Sequence, residues 1–294
     1  MRAAVLGATG FVGSALVPAL AEHADVVAVS RRGDATTNGD RNVEAVAADV
    51  SDATSLRAAL EGVDVAYYLV HSLGSTDYAY RDRRAAENVA REAERAGVQQ
   101  IVYLGGLGDD RSDLSEHLRS RAETAAALAA GSVPLTTLRA AVVVGRGSAG
   151  FETIVALVDR LPAMVAPKWI SSPTQPIALA DIVRYLAGVA GLPDAIGASF
   201  DVGGPEVLTY KQMIERIARL RGRRPIIVEV PILSPRLSSY WLHLVTPVRA
   251  GVARPLVEGL RNATIAQDER IRELFPFPLT PFDEAAREAL GAAR

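Results

Sequence analysis

The run Ala3-Ala4-Val5-Leu6 followed by Gly7-Ala8-Thr9-Gly10-Phe11-Val12-Gly13 constrains this chain more than any other segment. The apolar run reads as a buried strand, and Ser14-Ala15-Leu16-Val17 reads as the opening of a helix. A strand, a tight glycine turn and a helix N-terminus form an anion site. The first glycine allows the turn, the second admits phosphate to the backbone, and the third lets the helix pack on the strand. The helix N-terminus adds unpaired N–H groups and a partial positive charge. A pyrophosphate, and hence a dinucleotide, fits such a site. The spacing is Gly-x-x-Gly-x-x-Gly rather than the commoner Gly-x-Gly-x-x-Gly. The alternative is a strand-to-helix turn that binds nothing.

The chain beyond the turn supports a doubly wound α/β fold, a mostly parallel Rossmann sheet with a small, mainly helical C-terminal lobe. Strand candidates lie at 2–6, 25–30, 43–47, 64–70, 100–105, 135–144 and 199–203. Helical patterns lie near 11–23, 53–61, 77–97, 116–130, 151–161, 179–190, 209–221 and 282–290. This alternation argues for a parallel sheet covered on both faces. Pro18 predicts a kink or early end in the first helix, and Asp77 and Gly97 are expected to cap the long one. After Pro225 the prolines crowd and the strand–helix rhythm stops. The expected organisation is a binding core over 1–145 and a second part over 146–294. That second part completes the sheet at about 176–203 and then supplies the substrate lobe.

Composition narrows the chemistry. There is no cysteine, so thiolate catalysis, disulfides and cysteine-held metals are excluded. His23, His71, His117 and His243 lack close ligand spacing, and no metal site is expected. The net charge of −2 offers no nucleic-acid footprint. No apolar run is long enough to span a bilayer. The N-terminus enters the glycine turn at once, unlike a signal peptide, and a cytoplasmic protein is expected.

The second strand ends in Ser30-Arg31-Arg32-Gly33-Asp34. Arginine here suits a 2′-phosphate and favours NADP(H), whereas an acid would suit the ribose of NAD(H). Asp34 keeps NAD(H) open, and both arginines could simply be solvated. Asp49 and Val50 come after the third strand as candidates for the adenine, with helix capping the alternative for the aspartate. Leu69, Val70 and His71 close the fourth strand and are candidates to line the cofactor cleft. Asp109, Asp110 and Asp113 could ligate a cation or merely be solvated. Arg139 either pairs with a buried carboxylate or reaches a substrate anion. The stretch from Tyr240 to Val245, near Arg249 and Arg254, either lines an apolar substrate pocket, packs in the core or meets a membrane surface.

The chain resembles the short-chain dehydrogenase/reductase superfamily in its extended or atypical branch, closest to NmrA-like and complex-I-accessory-subunit-like proteins. The resemblance rests on the glycine turn, Asp49-Val50, Tyr103-Leu104-Gly105-Gly106, and Leu138-Arg139 leading to Val144-Gly145-Arg146-Gly147. It extends through Pro176–Asp181, Phe200–Glu206 and Leu208–Lys211. It implies cofactor contacts from Leu104 and Gly105 and a homodimer through the 77–97 helix. Family members with standard chemistry carry Tyr-x-x-x-Lys where this chain has His117-Leu118-Arg119-Ser120-Arg121, and the upstream serine is missing. The spacing keeps His117 and Arg121 on one helical face. Either His117 replaces tyrosine as proton donor, with Arg121 on the ribose, or the site is degenerate. The first makes the chain an atypical NADP(H)-dependent oxidoreductase acting on an apolar carbonyl or quinone-like molecule. The second makes it a catalytically silent NADP(H)-binding regulator; an isomerase or cyclase on the same scaffold is the third reading.

Overall fold

The computed structural model describes residues 1–37, 39–72, 77–108, 115–230 and 262–291, with 167–169 by backbone only. The first half runs β1 (Arg2–Leu6), α1 (Phe11–Ala21), β2 (Asp25–Ser30), β3 (Val43–Ala47), α2 (Ala53–Ala59) and β4 (Val65–Tyr68). It continues with α3 (Tyr78–Ala96), β5 (Gln100–Gly106), α4 (Glu116–Ala129) and β6 (Leu135–Ala140). The second half runs β7 (Val143–Val144), α5 (Ala149–Arg160), β8 (Ala163–Pro167), β9 (Pro173–Thr174), β10 (Ile177–Ala178), α6 (Leu179–Gly188) and β11 (Ser199–Val202). Then come β12 (Leu208–Thr209), α7 (Tyr210–Leu220), β13 (Ile226–Val230), α8 (Arg270–Leu274) and α9 (Phe282–Leu290).

Seven parallel strands form the main sheet in the order β11-β6-β5-β4-β1-β2-β3. The order reverses at β1, which lies between β4 and β2, and that is the switch point where such sheets bind ligands. The strands are near-continuous apolar runs because both faces are covered. Val5, Val26, Tyr67 and Val102 point into the layer shared with α1 and α6. Their neighbours Leu6, Val27, Tyr68 and Tyr103 point into the layer under α2, α3 and α4. A third apolar cluster, with Phe151, Met213, Ile217 and Phe282, joins α5, α7 and α9.

Several boundaries differ from those expected. Pro18 does not end α1, which continues to Ala21. The proline and Ser14, whose carbonyl it leaves without a helical bond, both sit on the solvent-facing side, where water can reach that carbonyl. Asp77 holds the N-cap position of α3 without a side-chain capping bond, while Gly97 closes the helix in the left-handed region. The run 135–144 is two strands. The chain leaves the main sheet after Ala140, and Val143–Val144 pairs instead with β10. The proline-rich region conceals a strand, β13, which pairs in parallel with β8 between Pro225 and Pro231. No helix among the described residues is long and apolar enough to cross a membrane.

Arg139 has a definite partner. Its Nε donates to Asp201 across β6 and β11 at 2.8 Å, and the second Asp201 oxygen accepts the Gln267 amide at 2.8 Å. The pair therefore ties two adjacent strands to the C-terminal segment. Both groups are largely buried, so removing the cation strands a carboxylate. Arg139→Met is expected to cost about 3 kcal/mol of stability, measured as the shift of the urea unfolding curve.

Candidate cofactor cleft and catalytic helix

The glycine turn is built as tightly as a pyrophosphate cradle requires. Gly7 has φ +96° and donates to the Val29 carbonyl at 3.1 Å. A Cβ on Gly13 would lie 2.2 Å from the Gly7 oxygen, and one on Gly10 would lie 3.1 Å from it. No side chain caps α1, so its first N–H groups point out beyond Gly10. Thr9 and Gly10 are exposed there, and Val12 is half-buried. The Phe11 ring instead packs on the turn after β7, within 3.0 Å of where a Gly145 Cβ would stand. These residues fit a dinucleotide pyrophosphate.

The end of β2 separates its two arginines. Ser30 donates to Asp34 at 2.8 Å, and Arg32 Nε donates to the other Asp34 oxygen at 2.7 Å. Those bonds hold the Asp34 carboxyl below the usual range, with the Ser30 hydroxyl contributing most. Ser30, Arg32 and Asp34 are thus engaged with one another. Arg31 is exposed and makes no hydrogen bond or ion pair with the described residues, and its charge reaches Asp49. Asp49 does not cap α2; Asp52 does, accepting the Thr54 amide at 3.0 Å. The Asp49 carboxylate accepts the Ser51 hydroxyl and amide at 2.7 and 2.8 Å, which lowers its pKa. Val50 lies beside it, half-buried.

Across the switch point, Leu69 and Val70 back directly on the turn, within 3.1 to 3.3 Å of a notional Gly7 Cβ. His71 comes next; part of it is open to solvent, but the protein crowds around it closely enough to disfavour a charge on the ring. Leu104 and Gly105 lie on β5, and the Arg121 guanidinium donates to the Leu104 carbonyl. Its carbon sits 5.1 Å from the Tyr103 ring centroid, while the Tyr103 hydroxyl donates to the Arg121 carbonyl at 3.2 Å. Arg121 is thus a brace between α4 and β5.

His117 occupies the second position of α4, after the Ser115 cap. Its Nδ1 is buried and has no hydrogen-bond partner among the described residues. Burial, then Arg121 and His71, push its pKa down to about 3. Burial by surrounding protein and Arg121 bring His71 to about 4. The helix N-terminus also disfavours a cation. Both imidazoles are therefore neutral at pH 7. His117 is not an imidazolium acid, but a neutral imidazole can still donate an N–H to a carbonyl oxygen.

Other residues of this corner carry no family motif. Tyr68 and Tyr103 are register partners with ring centroids 6.0 Å apart, and the Tyr68 hydroxyl is buried without a partner among the described residues. Asp82 of α3 is buried, which raises its pKa, and it accepts the Ser72 amide at 2.7 Å. A usable signal for Asp82 existed: it falls on the apolar stripe Tyr78, Ala85, Ala86, Val89 and Ala93. Asp109, Asp110, Asp113, Tyr240–Val245, Arg249 and Arg254 lie outside the described residues.

The parallel sheet, the switch point and the bare helix end behind the glycine turn define a dinucleotide-binding Rossmann domain. Residues 7–146 match the family model described as NAD(P)H-binding. The chain is 23% identical over 285 residues to the (4-alkanoyl-5-oxo-2,5-dihydrofuran-3-yl)methyl phosphate reductase of Streptomyces griseus, covering 97% of this chain and 96% of that one. It is 26% identical over 243 residues to the mitochondrial NADH dehydrogenase (ubiquinone) 1 alpha subcomplex subunit 9 of Arabidopsis thaliana, covering 78% of this chain and 60% of that one. Among solved structures it is similar to an NADPH-dependent quinone oxidoreductase of Escherichia coli complexed with NADPH. The TM-score is 0.80 and the identity 21%, over 99% of this chain and 100% of that one. The Citrobacter sp. triphenylmethane reductase complexed with NADP(H) gives 0.77 and 20%, over 98% and 100%.

The two depressed histidines give a pH signature. Between about pH 6.5, the ordinary histidine value, and about pH 4, the unfolded chain binds protons that the folded chain refuses. Stability therefore rises with pH over that window. The raised carboxyl of Asp82 works in the opposite sense nearer the carboxylate range. Thermal melts of His117→Gln are expected to show a shallower loss of Tm from pH 6.5 to 4 than the parent protein.

Proposed function

We propose that the chain is an NADP(H)-dependent oxidoreductase of the atypical short-chain dehydrogenase/reductase kind, acting on a carbonyl or quinone-like small molecule. The carrying observation is the unpartnered, buried Nδ1 of His117, on a helix braced against the strand end beside the cofactor turn. A buried polar atom without a partner costs stability and is retained where function needs it.

The bound nicotinamide would supply or accept hydride. The chain's own residues do the rest. The glycine turn and the α1 N-terminus hold the pyrophosphate. Arg31, the arginine left free by the Ser30–Arg32–Asp34 knot, takes the 2′-phosphate. His117 offers a neutral N–H to the substrate oxygen as charge develops there. Arg121 fixes the height of α4 over β5 so that this donor faces the cleft. The similarities to a quinone oxidoreductase and a triphenylmethane reductase support a reductase with a quinone-like acceptor.

A second reading has its own observation. Arg121 is committed to the Leu104 carbonyl and the Tyr103 ring, whereas the lysine of the standard motif holds ribose. That commitment favours a cofactor-binding protein that does not turn over.

Calorimetry with NADPH and NADH tests the cofactor half. NADPH is expected to bind at least about ten-fold more tightly, with the preference lost in Arg31→Ala. A panel of quinones and carbonyls tests the chemistry. His117→Ala is expected to lower kcat by about 10²-fold or more while leaving NADPH affinity intact. Tight NADPH binding without turnover across the panel would establish the silent reading instead.

A further inference from the structure

Two side chains of helix α3 make three hydrogen bonds to two loops at the carboxyl edge of the sheet. Near its start, Asp82 accepts the amide of Ser72 at 2.7 Å. Ser72 belongs to the segment that leaves β4 through Leu69, Val70 and His71. Six residues later, Asn88 donates from its amide nitrogen to the carbonyls of Val50 and Ser51, both at 3.2 Å. Those carbonyls belong to the segment after β3 that carries Asp49. Arg91 donates to the Asn88 oxygen at 2.5 Å, which fixes the amide with its nitrogen toward the loop. Asp82 and Asn88 are both buried, at 3% and 8% exposure.

The two loops lie on opposite sides of the switch point. The segment after β3 flanks β2 and Arg31, on the adenine side. The segment after β4 flanks β5 and α4, on the side read as the nicotinamide side, where His71 lies near His117. The two anchors are about 9 Å apart along the helix. Apolar contacts of Ala86, Val89 and Ala93 hold the helix against the sheet.

We infer that α3 is a positioning element for the cofactor, with Asn88 setting the adenine-side loop and Asp82 setting the nicotinamide-side loop, each independently of the other. Both are positioning residues rather than catalytic ones, since each acts through a loop backbone. The inference rests on the cofactor reading above.

The test uses the full chain and two ligands. NADPH binding is followed by its fluorescence. Adenosine 2′,5′-bisphosphate, which fills only the adenine half, is measured by its displacement of NADPH. Asn88→Leu is expected to weaken both ligands about ten-fold, the loss of one to two hydrogen bonds. Asp82→Ala is expected to weaken NADPH by a similar factor and leave the bisphosphate unchanged. Asp82→Asn keeps an oxygen for the Ser72 amide and should restore NADPH affinity. Should Asp82→Ala fail to fold, Ser72→Pro removes the donor from the other end and carries the same expectation. Unchanged bisphosphate affinity also certifies that the variant is folded. An Asp82→Ala or Ser72→Pro protein that weakens both ligands alike, variants that shift neither, or a bisphosphate that does not displace NADPH overturn the inference alone. A parent protein that binds no NADPH overturns the cofactor reading, and this inference with it.

Discussion

The contact between α1 and the strand-end turn before it sets the distances on which the cleft depends. The space between Gly13 and the Gly7 carbonyl has no room for one methyl group. Helix α1 can therefore sit close enough to β1 for its N-terminus to present N–H groups at the sheet's carboxyl edge. Leu69 and Val70 approach Gly7 from β4 at similar range, so the turn is enclosed from both neighbouring elements. The rest of the cleft is arranged around this seat, with Arg31 and Asp49 to one side and His71, His117 and Arg121 to the other.

The electrostatics of the corner around His117 arise from what surrounds Arg121. This one cation lies near Tyr68, His71, Asp82 and His117 and lowers the pKa of each. For the histidines it adds to burial, and they are driven neutral. For Tyr68 and Asp82 it opposes burial, which prevails, so both favour their protonated forms more than they would in water. Neutral imidazoles and the Tyr68 hydroxyl beside a guanidinium make the corner rich in N–H and O–H donors. Such a corner suits the stabilisation of negative charge on oxygen better than the abstraction of a proton.

The fold was legible in the sequence where patterning is local. The glycine turn, the two-sided apolar strands and the helices over 53–61 and 282–290 come from periodicity and composition. The site was legible only where a motif marked it. Arg31 and Arg32 look equivalent in the sequence, and only the Asp34 knot distinguishes them. Asp49 and Asp52 are equally plausible caps, and geometry alone gives the role to Asp52. The role of Arg121 as a brace depends on the Leu104 carbonyl, and a backbone acceptor carries no sequence signature. Strand β13 was hidden because its flanking prolines resemble loop composition, and its partner β8 lies far earlier in the chain.

The residues that cover α1 come from far along the chain. Helix α6 packs over α1, and strand β11 completes the edge beyond β6. Tyr67 donates to the Leu186 carbonyl, Gln100 to the Val189 carbonyl and Thr136 to the Ala195 carbonyl. At the end of α6, Gly188 leaves a slot for the Phe275 ring. The segment 7–146 therefore carries the cofactor motif without the means to bury its own apolar layer. During synthesis Leu16, Val17 and Tyr67 stay uncovered until α6 emerges, so the sheet closes late and through contacts distant in sequence. Such a topology folds slowly for its size and is exposed to aggregation before closure. The binding motif is an early part of the chain, but the domain that makes it a binding site is completed only near the end.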